Sequence, residues 1–298
     1  MSVHEPARAP RVLRLPSRGT LLVSTDLQGS LRDWERLLMH FHTAEEATGG
    51  EAVLVLTGDL VHGPDDETYA NWPEPLGTKY RDESVALVEA FLREQQRAPG
   101  RVHCLLGNHD HAHIGGPVTS KFYLDEAAAL ESRLDVAGVE RLKATIRGFP
   151  LVAVAPCGVV LLHGSPSAEI SGPQDIEALK TDGFEEMHYS DFLRVPVLGP
   201  LLWSRMARLE EAERFVIALG GSVAIFGHDI VREGYAKDDA RQLCVSTSFG
   251  CLDENKVYVQ LDLGATYSST ADLREGVELL KLYQPLTPTL SPGEEGAS

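Results

Sequence analysis

The sequence predicts an α/β fold with much parallel strand pairing, and three observations predict it. One pattern recurs five times along the 298 residues: a short apolar run ends abruptly in a polar or glycine-containing cluster. The runs are continuous rather than alternating, which suits strands covered on both faces. Between them lie amphipathic stretches whose apolar residues recur at spacings of three and four, the mark of helices with one buried face.

In chain order, TLLVS (20–24) runs into TDLQG, AVLVL (52–56) into TGDLVHG, and RVHCLL (101–106) into GNHD. GVVLL (158–162) then runs into HGSP, and SVAIF (222–226) into GHD. The helical patterns SLRDWERLLMHFHTAEEA and DESVALVEAFLREQQRA separate the first three. Further on, RQLCVSTSF and NKVYVQLDL read as two strands joined by a turn at GCLDEN, with LREGVELLKLY following. In sheets of this kind the polar residues just past the strand ends gather on one rim, where ligands bind.

Residues 1–15 are interrupted by proline and show no periodicity, so they predict a loose arm. Residues 16–284 read as one domain with insertions at 64–82 and 167–215, and loops of that length in a compact domain are often functional. Residues 285–298, rich in Pro, Ser, Thr and Gly, predict a disordered tail.

Composition narrows the function. Hydrophobic residues at 43% and charged residues at 24% are those of an ordinary globular protein. No apolar run reaches the roughly 18–20 residues that cross a bilayer, and the N-terminus lacks the apolar stretch of a signal peptide, so the expected compartment is the cytoplasm. A net charge of −17 repels nucleic acid and anionic membranes, and neither is expected as a partner. Cys104, Cys157, Cys244 and Cys251 form no C-x-x-C pair and are expected as buried thiols. Nothing in the sequence specifies an oligomeric state.

Asp26, Asp59, Asn108, His163 and His228 stand at the five strand ends. Singly, each has an ordinary reading: Asp26 as a helix cap, Asp59 and Asn108 as turn residues, the histidines as core residues. Together they are the donor types that suit Mn²⁺, Fe²⁺ or Zn²⁺, and five such residues at five successive strand ends point to a metal centre.

TDLQG, GDLVHG, GNHD, HGSP and FGHD, in that order, resemble the calcineurin-like metallophosphoesterase superfamily. Within it the chain is most similar to the phosphoprotein phosphatase branch, which includes Ser/Thr phosphatases and bacterial diadenosine-tetraphosphate hydrolases. GPLLWS (199–204), and GHDIVREGY followed by RQL, add to that likeness, which runs from about residue 20 to about residue 262. The resemblance implies a four-layer αββα sandwich, two mixed β-sheets face to face with helices outside. It also implies two divalent metal ions. Asp59 would bridge them, Asp26 and residue 28 would serve the first, and Asn108, His163 and His228 would complete the second. Such a pair clamps phosphoryl oxygens and activates water for in-line attack. His109 falls at the general-acid position, and Asp110 is expected to orient its imidazole.

The chain departs from the family at four points. Gln28 offers an amide oxygen where the family has a histidine, and GHDI lacks a second histidine after His228. GDLVHGP puts His62 where the family has an acid, and it omits the arginine that grips phosphate. Arg205 and Lys121 are candidate replacements for that arginine, each also readable as a solvated surface charge. Of the nearby His62, His111 and His113, His62 is expected first to replace a missing ligand or to act on substrate.

The resulting expectation is metal-dependent hydrolysis of phosphomonoesters, with phosphoserine or phosphothreonine of proteins as the branch-level substrate. The partner is then a phosphorylated protein or a small phosphoester. The alternatives are a nucleotide or dinucleoside-polyphosphate hydrolase, and a degenerate module that binds metal and phosphate with little turnover.

Overall fold

Two mixed β-sheets lie face to face with helices on their outer sides. The computed structural model describes residues 9–283; residues 1–8 and 284–298 lie outside them, and with these the tail expected over 285–298. The strands are β1 (Val12–Arg14), β2 (Thr20–Ser24), β3 (Ala52–Leu56), β4 (Val102–Cys104), β5 (Val152–Ala155), β6 (Val159–Leu162), β7 (Val223–Phe226), β8 (Tyr235–Lys237), β9 (Gln242–Val245), β10 (Val257–Asp262) and β11 (Leu279–Lys281). One sheet has the order β1-β5-β6-β7-β9-β8 and the other β11-β10-β2-β3-β4. Neighbours β2, β3 and β4 run parallel, as do β6, β7 and β9, while β10 pairs antiparallel with β2.

The continuous apolar runs are explained by burial on both faces. Successive side chains of a strand point to opposite sides. Leu21, Val23, Val53 and Val55 therefore join a core shared with Val159, Leu161, Val223 and Ile225 of the opposite sheet. Leu22, Leu54 and Leu56 join a second core with the helices. The helix Leu31–Ala47 turns Trp34, Leu37, Phe41 and Ala44 inward, and the helix Ser84–Arg97 turns in Leu87, Val88 and Phe91. Trp34 and Phe91 meet edge to face at 6.0 Å between ring centroids. Each such fully buried side chain contributes roughly 1.5–3 kcal/mol.

A buried ion pair ties the first helix to the sheet. Lys256 Nζ lies 3.0 and 2.8 Å from the two oxygens of Asp33, and Tyr283 Oη donates to Asp33 Oδ1 at 2.6 Å.

One expectation is corrected. The arm expected over residues 1–15 does not extend that far, because Val12–Arg14 is a strand paired parallel with β5 and both Arg11 and Val12 are buried. The two strands expected around GCLDEN are β9 and β10, and the turn between them carries the chain from one sheet to the other. The four cysteines are free and buried. Among the described residues no helix is long and apolar enough to cross a membrane.

Candidate active site

The loops at the strand ends carry the backbone strain of the molecule. Among the described residues six non-glycine residues have a left-handed φ, and five are Asp26 (48°), Gln28 (41°), Asp59 (54°), His62 (73°) and His228 (64°). Each such residue costs of order 1 kcal/mol and persists only where its surroundings over-determine it. The surroundings here are tight. Gly58 has φ 116°, and a Cβ on it would lie 2.7 Å from the Gly107 backbone, so the loops after β3 and β4 are pressed together.

Asp59, Asn108, His163 and His228 converge. His163 Nε2 lies 2.9 Å from Asn108 Oδ1 and 3.4 Å from Asp59 Oδ1. Asp59, His163 and His228 each offer an atom within 4.8 Å of the others. The opposite nitrogen of His163, Nδ1, lies 3.1 Å from the Thr57 carbonyl. A carbonyl only accepts, so the ring proton sits on Nδ1 and the Nε2 lone pair faces Asn108 and Asp59. His228 Nε2 faces the Trp203 carbonyl at 3.2 Å, which assigns its proton in the same way.

The charges agree with this arrangement. Burial pushes His228 well below the usual histidine range, His163 and Arg205 adding to it. Burial by itself would raise the Asp59 carboxyl, but His163, His109 and His228 outweigh it and hold Asp59 well below the ordinary carboxylate range. Lone pairs of an imidazole, an amide oxygen and a carboxylate aimed at one point repel each other unless a cation lies among them. This donor set fits a borderline divalent ion.

The first metal position is built differently. The carboxyl of Asp26 is pushed up to about 6 by burial and by Asp59, and its Oδ2 accepts the His228 amide at 3.0 Å. Gln28 Nε2 donates to Asp59 Oδ2 at 3.2 Å, and Gln28 Oε1 accepts from Lys121 Nζ at 3.0 Å. No imidazole reaches this side from residue 28 or from Ile230.

His109 reaches the rim from the short helix Asn108–His111, with Nε2 3.9 Å from Asp59 Oδ2. Its Nδ1 lies 3.1 Å from Glu126 Oε2 and 3.2 Å from His62 Nδ1. His62 Nε2 continues to His113 Nε2 at 2.9 Å, and His113 Nδ1 to Glu131 Oε1 at 2.8 Å. His62, His109 and Glu126 form a second group of atoms able to share a metal.

His62, Asp110 and His111 take their places here. His62 is 3% exposed and stands behind His109, within the second group of atoms able to share a metal rather than beside Gln28. Asp110 does not orient His109: its oxygens accept the amides of Asp59, Leu60 and Gly107 and bind the two loops together. The carboxylate beside the imidazole is Glu126, from the helix Glu126–Glu131, and it belongs to none of the motifs. The one sequence signal was indirect, the acid missing at position 62. His111 faces Thr181 O at 2.6 Å and packs on Phe184 and Phe192, anchoring the 167–215 insertion.

Asp59, Asn108, His109 and His228 open onto a cleft of about 180 Å³, which Lys121 and Arg205 also line. Arg205 donates to His228 O at 2.8 Å and to Asp229 Oδ1 at 2.9 Å, with half of its side chain exposed. The 167–215 insertion supplies Tyr189 and Trp203, stacked at 5.5 Å, as one wall. The 64–82 insertion braces the site from behind, Tyr80 Oη donating to Gln28 O at 3.0 Å.

Comparison with known proteins agrees with this geometry. The family model of calcineurin-like phosphoesterases matches residues 19–245. No curated protein matches the chain. Among solved structures the fold is similar to a protein serine/threonine phosphatase from Saccharomyces cerevisiae with similarity to human phosphatase PP5, at 14% identity and TM-score 0.60, covering 91% of this chain and 82% of that one. It is also similar to a cold-active protein-tyrosine phosphatase of a psychrophile, Shewanella sp., at 15% identity and TM-score 0.57, covering 86% and 78%. At such identities these two likenesses establish the fold alone. The chain belongs to the calcineurin-like phosphoesterase family and is, by that membership, a metal-dependent phosphoester hydrolase.

Proposed function

We propose that the chain hydrolyses phosphomonoesters, with a divalent cation held by Asp59, Asn108, His163 and His228. The observation that carries this reading is the meeting of the His163 lone pair with Asn108 Oδ1 at 2.9 Å and Asp59 Oδ1 at 3.4 Å. Mn²⁺, Fe²⁺ and Zn²⁺ all suit such a set. When bound, a cation of this kind neutralises phosphoryl charge and makes water a better nucleophile.

The remaining tasks fall to side chains. Arg205 offers a guanidinium at the cleft in place of the missing motif arginine. His109 Nε2 faces the cleft and gives a proton to the leaving oxygen. Glu126 holds the far nitrogen of the same ring and keeps it aimed. Burial disfavours the charged form of Glu126, but the neighbouring His109 outweighs it and keeps the carboxyl below its ordinary range.

The leading substrate class is a phosphorylated Ser or Thr side chain, the activity named for the yeast structural neighbour. A second reading, a nucleotide or dinucleoside-polyphosphate hydrolase, is favoured by the stacked Tyr189 and Trp203 rings beside Arg205, a flat apolar wall suited to a base. Four free thiols suit a reducing compartment, which for this reading is the cytoplasm.

The test is hydrolysis of p-nitrophenyl phosphate by the purified protein supplied with Mn²⁺, Fe²⁺ or Zn²⁺, followed by a phosphopeptide against diadenosine tetraphosphate. Turnover lost to a chelator and restored by metal supports the proposal. Metal bound at the site without turnover of any of these substrates would leave a binding module instead.

A further inference from the structure

In the family pattern the first metal position needs imidazoles that this chain lacks, and the residues around it do not fit a second divalent ion. We infer that the ammonium of Lys121 stands in for the cation at that position, so that the centre works with one metal ion and one fixed positive charge. This rests on the reading of the site given above.

Gln28 carries the first part of the argument. An ammonium has only donors and a carboxylate only acceptors, so chemistry fixes which way the amide points. Its oxygen faces Lys121 Nζ at 3.0 Å, and its nitrogen faces Asp59 Oδ2 at 3.2 Å. The Asp59 oxygen on this side is thereby covered by an N–H donor, while Oδ1, which accepts the His109 amide at 3.0 Å, keeps a second lone pair on the side of His163. On the opposite strand end the family's second histidine is Ile230, which has no donor atom and packs against Gly250.

Lys121 itself is held rather than loose. Its ammonium lies 4.1 Å from the centre of the Phe249 ring as well as on Gln28; burial pulls it below the ordinary lysine range, and Asp59, Glu126 and Asp26 oppose that pull. A divalent ion among the same carboxylates would be repelled by it. An ammonium can also do much of what that ion would do for a phosphoryl group, since it brings a point charge and three N–H donors to the oxygens.

A second, independent observation points the same way. The segment that carries Lys121 also carries Glu126, the carboxylate beside His109. One stretch of chain thus supplies both a cation next to the weakened metal position and an acid for the one missing at His62.

Manganese stoichiometry by elemental analysis and calorimetric titration, with inorganic phosphate binding as a second readout, tests the inference. The wild-type chain is expected to bind one Mn²⁺. Lys121→Met should keep that one ion yet lose phosphate affinity by ~10-fold or more, and Lys121→Arg should recover part of it. Two Mn²⁺ per wild-type chain would overturn this inference and leave the phosphoesterase reading standing. None would overturn both. A Lys121→Met protein that binds phosphate as tightly as wild type would also overturn it. The wild-type stoichiometry decides the matter even if the variant folds poorly.

Discussion

Glu126 Oε2 lies 3.1 Å from His109 Nδ1, although the two residues come from different helices and only His109 belongs to a recognisable motif. The pairing places a carboxylate behind the imidazole of His109, from an unpredicted direction.

Glu126→Gln should therefore slow turnover according to the leaving group. For an alkyl phosphate, whose departing oxygen needs a proton, kcat should fall by about 10²-fold with KM nearly unchanged. For p-nitrophenyl phosphate the loss should be small, because that oxygen leaves without help. Equal losses for both substrates would reduce Glu126 to a packing role.

Metal should stabilise the fold through His163. A cation at about 100 times its dissociation constant adds roughly 2.7 kcal/mol to the stability of a protein that binds it only when folded. Thermal melts with Mn²⁺ and with EDTA should differ accordingly for the wild-type chain and coincide for His163→Ala. A variant that still responds to metal would mean that the cation sits elsewhere.

Lys256→Met should destabilise the protein by about 3–5 kcal/mol, because it leaves the fully buried Asp33 carboxylate without its ammonium. Replacing both residues together, Lys256→Met with Asp33→Leu, should cost less than the single change. Urea unfolding of the two variants checks the order, and the reverse order would show that the pair contributes packing rather than charge.

His111 should make the fold acid-sensitive. Burial pushes its imidazole down to about 4 from an ordinary 6.5, against the opposing Thr181 contact. The unfolded chain then binds a proton that the folded chain refuses. The contribution of His111 is complete above pH 6.5 and is lost as pH falls through about 4, with a slope of up to ~1.4 kcal/mol per pH unit. Chemical denaturation between pH 7 and pH 4 should show a shallower decline for His111→Gln than for the wild type. Parallel declines would move the acid sensitivity to another group.

Much of the site was legible because metal ligands follow strands. Asp59 and Asn108 follow neighbouring parallel strands of one sheet, and His163 and His228 follow neighbouring parallel strands of the other, so linear order implied convergence within each pair, and the packing of the two sheets brought the pairs together. Asp110 was misassigned, and the place of His62 was not legible, because adjacency in a motif does not say which way a side chain points. Asp110 turns back to hold the amides of Asp59, Leu60 and Gly107, and His62 turns behind His109. The two strands around GCLDEN were legible because strand propensity is local, whereas their assignment to two different sheets is made by packing.

Sequence alone determined the α/β class, the strands that bear the site, and the donor atoms offered to a cation, since these follow from apolar periodicity and side-chain chemistry at fixed spacing. Tertiary structure decided which charges stand opposite them. Lys121 on Gln28, Glu126 on His109 and Arg205 at the mouth of the cleft arrive from segments with no motif. Electrostatic partnership depends on distance through space, and distance along the chain does not encode it.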